Sequence, residues 1–149
     1  MNAYFSRGYP RLICKLLYTL IYISAAVVLL QDFKKLEVWR RAHEFTLEIY
    51  RITANFPNTE RYNATQQLRR CGSSVAANIA EGCGRSTNKD FLRCLYIAFG
   101  ELKECESFLL LARDLGYVSQ ESYNKIYLSM ESLSKQLCRF MQCLEKKNM

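Results

Sequence analysis

Eight basic side chains between residues 34 and 89 could bind an anion. Guanidinium and ammonium groups contact phosphate oxygens, and the backbone amides at a helix start also point toward bound phosphate. Four of these residues lie where a first helix begins, two lie side by side in a second helix, and two flank a glycine-containing loop. They are Lys34, Lys35, Arg40, Arg41, Arg69, Arg70, Arg85 and Lys89. The pattern predicts contacts with the phosphates of a nucleic acid.

The same basic residues also have a structural interpretation. The group from Lys34 to Arg41 could be a solvated helix start, although cations at a helix N-terminus oppose the helix dipole. Arg69 and Arg70 lie about 100° apart on a helix, so one can face inward and must then be paired. Glu81 is a candidate partner for Arg70, across an interface or from another helix. Both interpretations stay open at this point.

Catalytic chemistry has few candidate groups in this sequence. The one histidine, His43, has no cysteine or serine partner at a recognisable spacing, so no catalytic dyad is predicted. The seven cysteines form no C-x-x-C pair, and Glu-x-x-His does not occur. The segment Gly82-Cys83-Gly84-Arg85 lacks the phosphate-loop pattern. We therefore expect no enzyme activity, no metal and no cofactor, and reduced cysteines that pack in the core of a cytoplasmic protein.

The positive charge is unevenly distributed along the chain. The net charge is +7, from 21 basic and 14 acidic residues among 149. Residues 1–31 contribute +3, residues 32–93 contribute +4, and residues 94–149 are neutral. A one-sided basic surface suits an anionic partner, such as nucleic acid or an acidic protein. The alternative is a solvated face on a mildly basic protein.

Residues 1–31 are interpreted as an apolar N-terminal extension. Three basic residues precede an uncharged run from Leu16 to Leu30, which is short against the ~20 residues of a membrane-spanning helix. The run continues past Ser24-Ala25-Ala26, which is poor geometry for signal-peptide cleavage. Three alternatives stay open: read-through from an upstream start codon, a membrane or interfacial segment, and a signal peptide.

Residues 32–149 have the apolar periodicity of helices. Apolar side chains recur at alternating steps of three and four residues in the segments Val38 to Phe56, Leu68 to Ile79, Phe91 to Ala112 and Tyr123 to Leu144. Four such helices with short connections predict an all-α, antiparallel up-down-up-down four-helix bundle. Some aromatic side chains do not fit into these stripes and predict an oligomer interface. They are Trp39, Tyr96, Phe99 and Phe108.

The second helix, from Ala64 to Gly82, is expected to be the most tightly packed, because small residues fill its middle. Gly82 is predicted to end this helix in the left-handed conformation. Pro57 is predicted to end the first helix. Thr87 and Ser119 are expected to cap the third and fourth helices.

Several motifs together resemble a known family. They are F-K-K-L-E-V-W-R-R-A-H from Phe33, F-P from Phe56, E-R-Y from Glu60, Q-L-R-R-C-G-S-S-V-A-A-N-I-A-E-G-C-G-R from Gln67, I-A-F-G-E-L-K-E from Ile97 and L-G-Y from Leu115. This pattern resembles a bacterial four-helix-bundle family. That family contains the proteins encoded in intervening sequences of large-subunit ribosomal RNA genes and the accessory variability determinant proteins of diversity-generating retroelements. The chain departs from the family pattern at Cys71 and at Gly100-Glu101.

The resemblance implies a homopentamer with a positively charged surface and no enzymatic activity. In the retroelement branch it also implies binding to a reverse transcriptase and to nucleic acid. Our leading hypothesis is an oligomeric bundle that binds structured RNA through basic side chains of its first two helices, chiefly by phosphate contacts. The alternative is a protein-interaction adaptor that docks a reverse transcriptase. A membrane-attached bundle is a third hypothesis, and it depends on residues 1–31.

Overall fold

Four long helices joined by short turns form the described part of the chain. The computed structural model describes residues 32–146. Within them the chain is helical and contains no β-strand, so the predicted all-α four-helix bundle is confirmed. The helices are α1 (Glu37–Thr53), α2 (Ala64–Cys83), α3 (Asn88–Asp114) and α4 (Gln120–Lys146).

Consecutive helices run in opposite directions. Thr53, at the end of α1, contacts Arg69 near the start of α2, and Gly82 near the end of α2 faces Phe91 at the start of α3. Helix α4 packs on α3 and also on α1. The predicted extension, residues 1–31, lies outside the described residues. None of the helices within residues 32–146 is long and apolar enough to cross a membrane.

A short separate turn precedes the first helix. Residues 33–35 form a 3₁₀ turn, and the Asp32 carboxylate accepts a hydrogen bond from the Lys34 backbone N–H at 3.2 Å. Helix α1 therefore begins only at Glu37. The two lysines of the predicted basic group lie on this turn and not on the helix.

The first helix also ends earlier than predicted. It ends at Thr53, four residues before Pro57, and a second 3₁₀ turn follows at Asn58–Glu60. A proline ring clashes with the carbonyl group four residues earlier in a helix, which is that of Thr53 here. Phe56 is still buried although it lies outside the helix.

Side-chain caps start α3 and α4 as predicted. Thr87 Oγ1 accepts a backbone N–H of the first turn at 3.1 Å, and Ser119 Oγ does the same at 3.2 Å. Helix α3 ends in a turn on Gly116, whose φ of +74° lies in the left-handed region. The Tyr117 N–H then donates to the Ala112 carbonyl at 2.8 Å, which satisfies a free carbonyl of the last turn.

The apolar stripes of the four helices meet in one core. On α4 the buried stripe passes through Met141, whereas the predicted stripe passes through Phe140. Phe140 is only half-buried and packs edge-on against Phe91, with ring centroids 5.5 Å apart. A step of three or four residues after Leu137 is equally compatible with a period of 3.6, so the sequence pattern could not distinguish the two.

The aromatic side chains outside the stripes are more buried than predicted. Trp39, Phe99 and Phe108 are half-buried and pack against the core. Tyr96 is exposed, and its hydroxyl donates to the Glu145 carboxylate at 2.7 Å. Of the four aromatics predicted to form an oligomer interface, only Tyr96 presents most of its ring to the surface.

Helices α2 and α3 make the most extensive contact in the bundle. A Cβ atom at position 82 would overlap the Phe91 ring and would lie 3.1 Å from Cys94 Cβ. Gly82 lies inside α2 and has a negative φ, so the predicted left-handed stop at Gly82 is wrong. The glycine is needed for close packing between helices, and α2 continues to Cys83.

Two cysteines meet at the centre of this contact. Cys71 Sγ and Cys105 Sγ lie 2.6 Å apart, and both side chains are fully buried. The hydrogen bond to Cys71 and burial raise the pKa of the Cys105 thiol, which keeps it protonated. All six cysteines within residues 32–146 are free thiols. Cys143 is exposed, in contrast to the expected core packing.

Gly82→Ala is expected to lower the free energy of unfolding by about 1–3 kcal/mol, because the added methyl group must push Phe91 away. Urea denaturation followed by circular dichroism measures this change. Gly100→Ala is the matched control: nothing lies within 4 Å of a Cβ at this helical position. This control substitution is expected to raise the free energy of unfolding by roughly 0.5–1 kcal/mol. Equal stability of the Gly82→Ala variant and the wild type would contradict the packing explanation.

Candidate nucleic-acid interface

One end of the bundle collects six of the eight predicted basic residues, and we call it the basic end. The 3₁₀ turn at residues 33–35 packs against α2 and the start of α1, and it therefore lies beside the loop that follows α2. All six side chains are exposed. The basic end consists of Lys34, Lys35, Arg40, Arg41, Arg85 and Lys89.

Carboxylates neutralise part of the basic end. Glu37 pairs with both arginines of α1, at 3.6 Å to Arg40 Nε and 3.1 Å to Arg41 Nε. Glu81 pairs with Arg85 one helical turn away, and this hydrogen bond raises the pKa of Arg85. Lys34, Lys35 and Lys89 form no ion pair within residues 32–146 and extend the basic end into solvent.

Arg70 is held by acidic side chains of α3. Its guanidinium forms a hydrogen-bonded ion pair with Glu104 and lies 3.5 Å from Glu101, and the hydrogen bond to Glu104 raises the pKa of Arg70. Its Nε also donates to Gln67 at 3.1 Å. Arg70 therefore does not pair with Glu81 within the chain. Those two side chains lie about three helical turns apart on α2, and each finds a nearer partner.

Arg69 faces α1 instead, and two side chains of α1 fix its orientation. Its Nε donates to the buried Thr53 hydroxyl at 2.8 Å, and its guanidinium lies 5.0 Å from the centre of the Tyr50 ring. No carboxylate of residues 32–146 forms an ion pair with it. Arg69 is thus a fixed cation whose terminal nitrogens remain available for a ligand.

A groove opens beside Arg69 where the chain turns from α1 into α2. Arg61 lies over the Tyr62 ring, with the guanidinium carbon 5.8 Å from the ring centre. We call this site the arginine–tyrosine groove and define it by Tyr50, Arg61, Tyr62 and Arg69. It encloses about 390 Å³, and a neighbouring cavity of about 240 Å³ shares Arg61 and Arg69. Neither cavity has a carboxylate among its lining residues.

Sequence reasoning identified only Arg69 of this groove. The short polar segment Thr59 to Asn63 predicts only a turn, and the position of Tyr50 beside the apolar stripe of α1 predicts partial burial. Tyr50 and Tyr62 are in fact exposed, at 45% and 76% of their surface. One sequence signal could have indicated the groove. Arg61 is followed by Tyr62 in a turn, where no apolar periodicity explains the aromatic ring.

The predicted residues are therefore divided between two places. The basic end holds six of them, the groove holds Arg69, and Arg70 lines the groove while it is paired with α3. Arg69 and Arg85 are 16 residues apart, or ~24 Å along a helix. The arrangement is suited to bind an extended polyanion through separated contacts.

His43, the candidate for acid–base chemistry in the sequence, lies on the surface of α1. His43 is exposed and stacks on Trp39, with ring centroids 5.2 Å apart. Among residues 32–146 no cluster of three or more histidine, cysteine or acidic side chains could hold a metal ion.

Comparison with known proteins agrees with this fold. Residues 34–139 match the family model of the 23S rRNA-intervening sequence proteins. The chain belongs to that family. The matched range contains the groove and all eight predicted basic residues, which places both candidate sites within the family's shared domain.

A solved structure also resembles the chain. It is the crystal structure of a protein of unknown function from the S23 ribosomal protein family, from Bacteroides thetaiotaomicron. The two share 28% sequence identity with a TM-score of 0.66, over 70% of this chain and 97% of the other. A search of curated proteins gives no match.

Thr53 is expected to hold the Arg69 side chain through its hydroxyl group. In Thr53→Val the loss of this acceptor should accelerate hydrogen exchange of the Arg69 Nε–H about tenfold or more. Nitrogen-15 NMR measures this exchange directly. Thr53→Ser keeps the hydroxyl and should keep slow exchange, and the Arg70 Nε–H should not change in either variant. Equal exchange rates in the valine and serine variants would contradict this role.

Proposed function

We propose that this chain is a non-enzymatic, self-associating bundle that binds structured RNA through the cations of the basic end and of the arginine–tyrosine groove. The observation that carries the proposal is the arginine–tyrosine groove. There, Arg61 and Arg69 have no carboxylate partner within residues 32–146 and lie beside two exposed tyrosine rings. Cations of this kind bind phosphate, and rings of this kind stack on bases. The family name, which refers to 23S rRNA, agrees with an RNA-related role.

Ion pairing separates the basic residues by their availability. A cation that already has a carboxylate partner must break that ion pair before it binds phosphate. It therefore contributes less to the affinity for RNA. Arg40, Arg41, Arg70 and Arg85 are paired in this way. We assign the main phosphate contacts to the unpaired cations Lys34, Lys35, Arg61, Arg69 and Lys89.

The separation of the two sites favours folded RNA as the ligand. The groove and the basic end lie near opposite ends of α2, ~24 Å apart. An RNA that reaches both must hold its phosphates at that spacing, which a stem or a compact fold does better than a short flexible strand. Phosphate contacts would then supply most of the affinity.

Self-association would repeat this surface around an assembly. Ile97, Leu111 and Leu115 are exposed apolar residues, and their spacing puts them on one side of α3. Exposed apolar surface of this kind is typical of protein interfaces. We propose a homopentamer as the assembly, in which several copies of the basic surface raise the affinity for one RNA.

RNA binding is expected to weaken steeply with salt. The logarithm of the association constant should fall linearly with the logarithm of salt concentration, by about 0.7–0.9 per phosphate contact. In the triple variant Lys34→Gln, Lys35→Gln and Lys89→Gln, the magnitude of this slope should drop by about two. A filter-binding titration of a hairpin RNA across salt concentrations measures both slopes.

The control lowers the net charge equally on another face. Lys103→Gln, Lys125→Gln and Lys135→Gln change exposed residues of α3 and α4 and should leave the slope close to that of the wild type. Equal slopes for the two triple variants, or no RNA binding at low salt, would contradict the proposal. A partner captured by pull-down despite nuclease treatment would instead favour the adaptor hypothesis, with a reverse transcriptase as its candidate partner.

A further inference from the structure

The arginine–tyrosine groove has features that the fold itself does not require. Tyr62 lies in the turn before α2 with 76% of its surface exposed, so its ring contributes little to the core. Tyr50 is also exposed, at 45%, on the outer side of α1. Exposed aromatic rings next to unpaired arginines are typical of surfaces that stack on flat ligands.

We infer that this groove holds an unpaired nucleotide of the RNA, with the base stacked on Tyr62 and the adjoining phosphate bound by Arg61 and Arg69. The inference rests on the proposed function and specifies its ligand. It assigns the groove to single-stranded loops or ends of a folded RNA, and it assigns the basic end to paired regions.

Charge favours a phosphate in this position. Three arginines line the groove, and no carboxylate lines it or the neighbouring cavity. Arg70 among them is occupied by Glu104, but Arg69 is held in place only by a hydroxyl and a ring. Because Arg69 is already ordered, binding a phosphate would cost little further side-chain entropy.

Size and hydrogen bonding favour a nucleotide over a bare phosphate. The groove volume of about 390 Å³ lies within the roughly 300–1,000 Å³ of small-ligand sites. Thr65, Gln66 and Ser73 also line it and offer hydroxyl and amide groups to the edge of a base. A base in a duplex has both faces covered by its neighbours, so only an unpaired base can stack on Tyr62.

The test compares two RNAs that share one stem. The first is a hairpin with an unpaired loop that carries the fluorescent base 2-aminopurine, and the second is the same stem as a continuous duplex. For the full-length wild type we expect tighter binding to the hairpin and a change in 2-aminopurine fluorescence. Tyr62→Ala should weaken hairpin binding by about 5- to 150-fold, abolish the fluorescence change and leave duplex binding unchanged.

Two further variants control for folding and for ring chemistry. Tyr62→Phe keeps the ring and should bind the hairpin within about twofold of the wild type. Leu128→Ala removes a similarly exposed side chain on α4 and should have no effect on either RNA. Circular dichroism should be identical for all variants.

The outcomes separate this inference from the proposed function. If the wild type binds neither RNA at low salt, the proposed function fails. If it binds both RNAs equally, or if Tyr62→Ala weakens both equally, RNA binding stands and the nucleotide site is overturned. Loss of hairpin binding in Tyr62→Phe would also overturn it, because the hydroxyl and not the ring would then be responsible.

Discussion

The rest of the bundle depends on the close approach of α2 and α3. Gly82 accepts the Phe91 ring where any other side chain would overlap it, and Cys71 meets Cys105 at the centre of the contact. Protein interiors are packed as densely as organic crystals, so a single added methyl group here would have to displace the Phe91 ring. The small residues of α2 therefore set the distance between the two central helices.

The same contact decides how the two adjacent arginines of α2 differ. Arg70 faces α3 and is neutralised by Glu104 and Glu101. Arg69 is about 100° further round the helix and faces α1, where it meets only a hydroxyl and a tyrosine ring. Of two adjacent arginines, one is thus paired with carboxylates and the other is held only by uncharged side chains. Glu101 belongs to the pair that neutralises Arg70.

The groove exists because the chain leaves α1 early. Pro57 prevents helical structure back to Thr53, and the turn that follows brings Arg61 and Tyr62 beside the end of α1. Burial of Phe56 anchors that turn to the core. The candidate RNA site therefore comes from a helix end and its turn, whereas the glycine-containing loop between α2 and α3 contributes to the basic end.

Local features of this protein could be determined from its sequence. Apolar spacing predicted four helices, and Thr87 and Ser119 were identified as caps, because periodicity and capping involve residues within a turn or two. The family could be recognised from its motifs for the same reason. Only the tertiary structure decided the partner of Arg70, the packing role of Gly82 and the grouping of Tyr62 with Arg69. These depend on the rotation and register of one helix against another, which the spacing along a single helix does not specify.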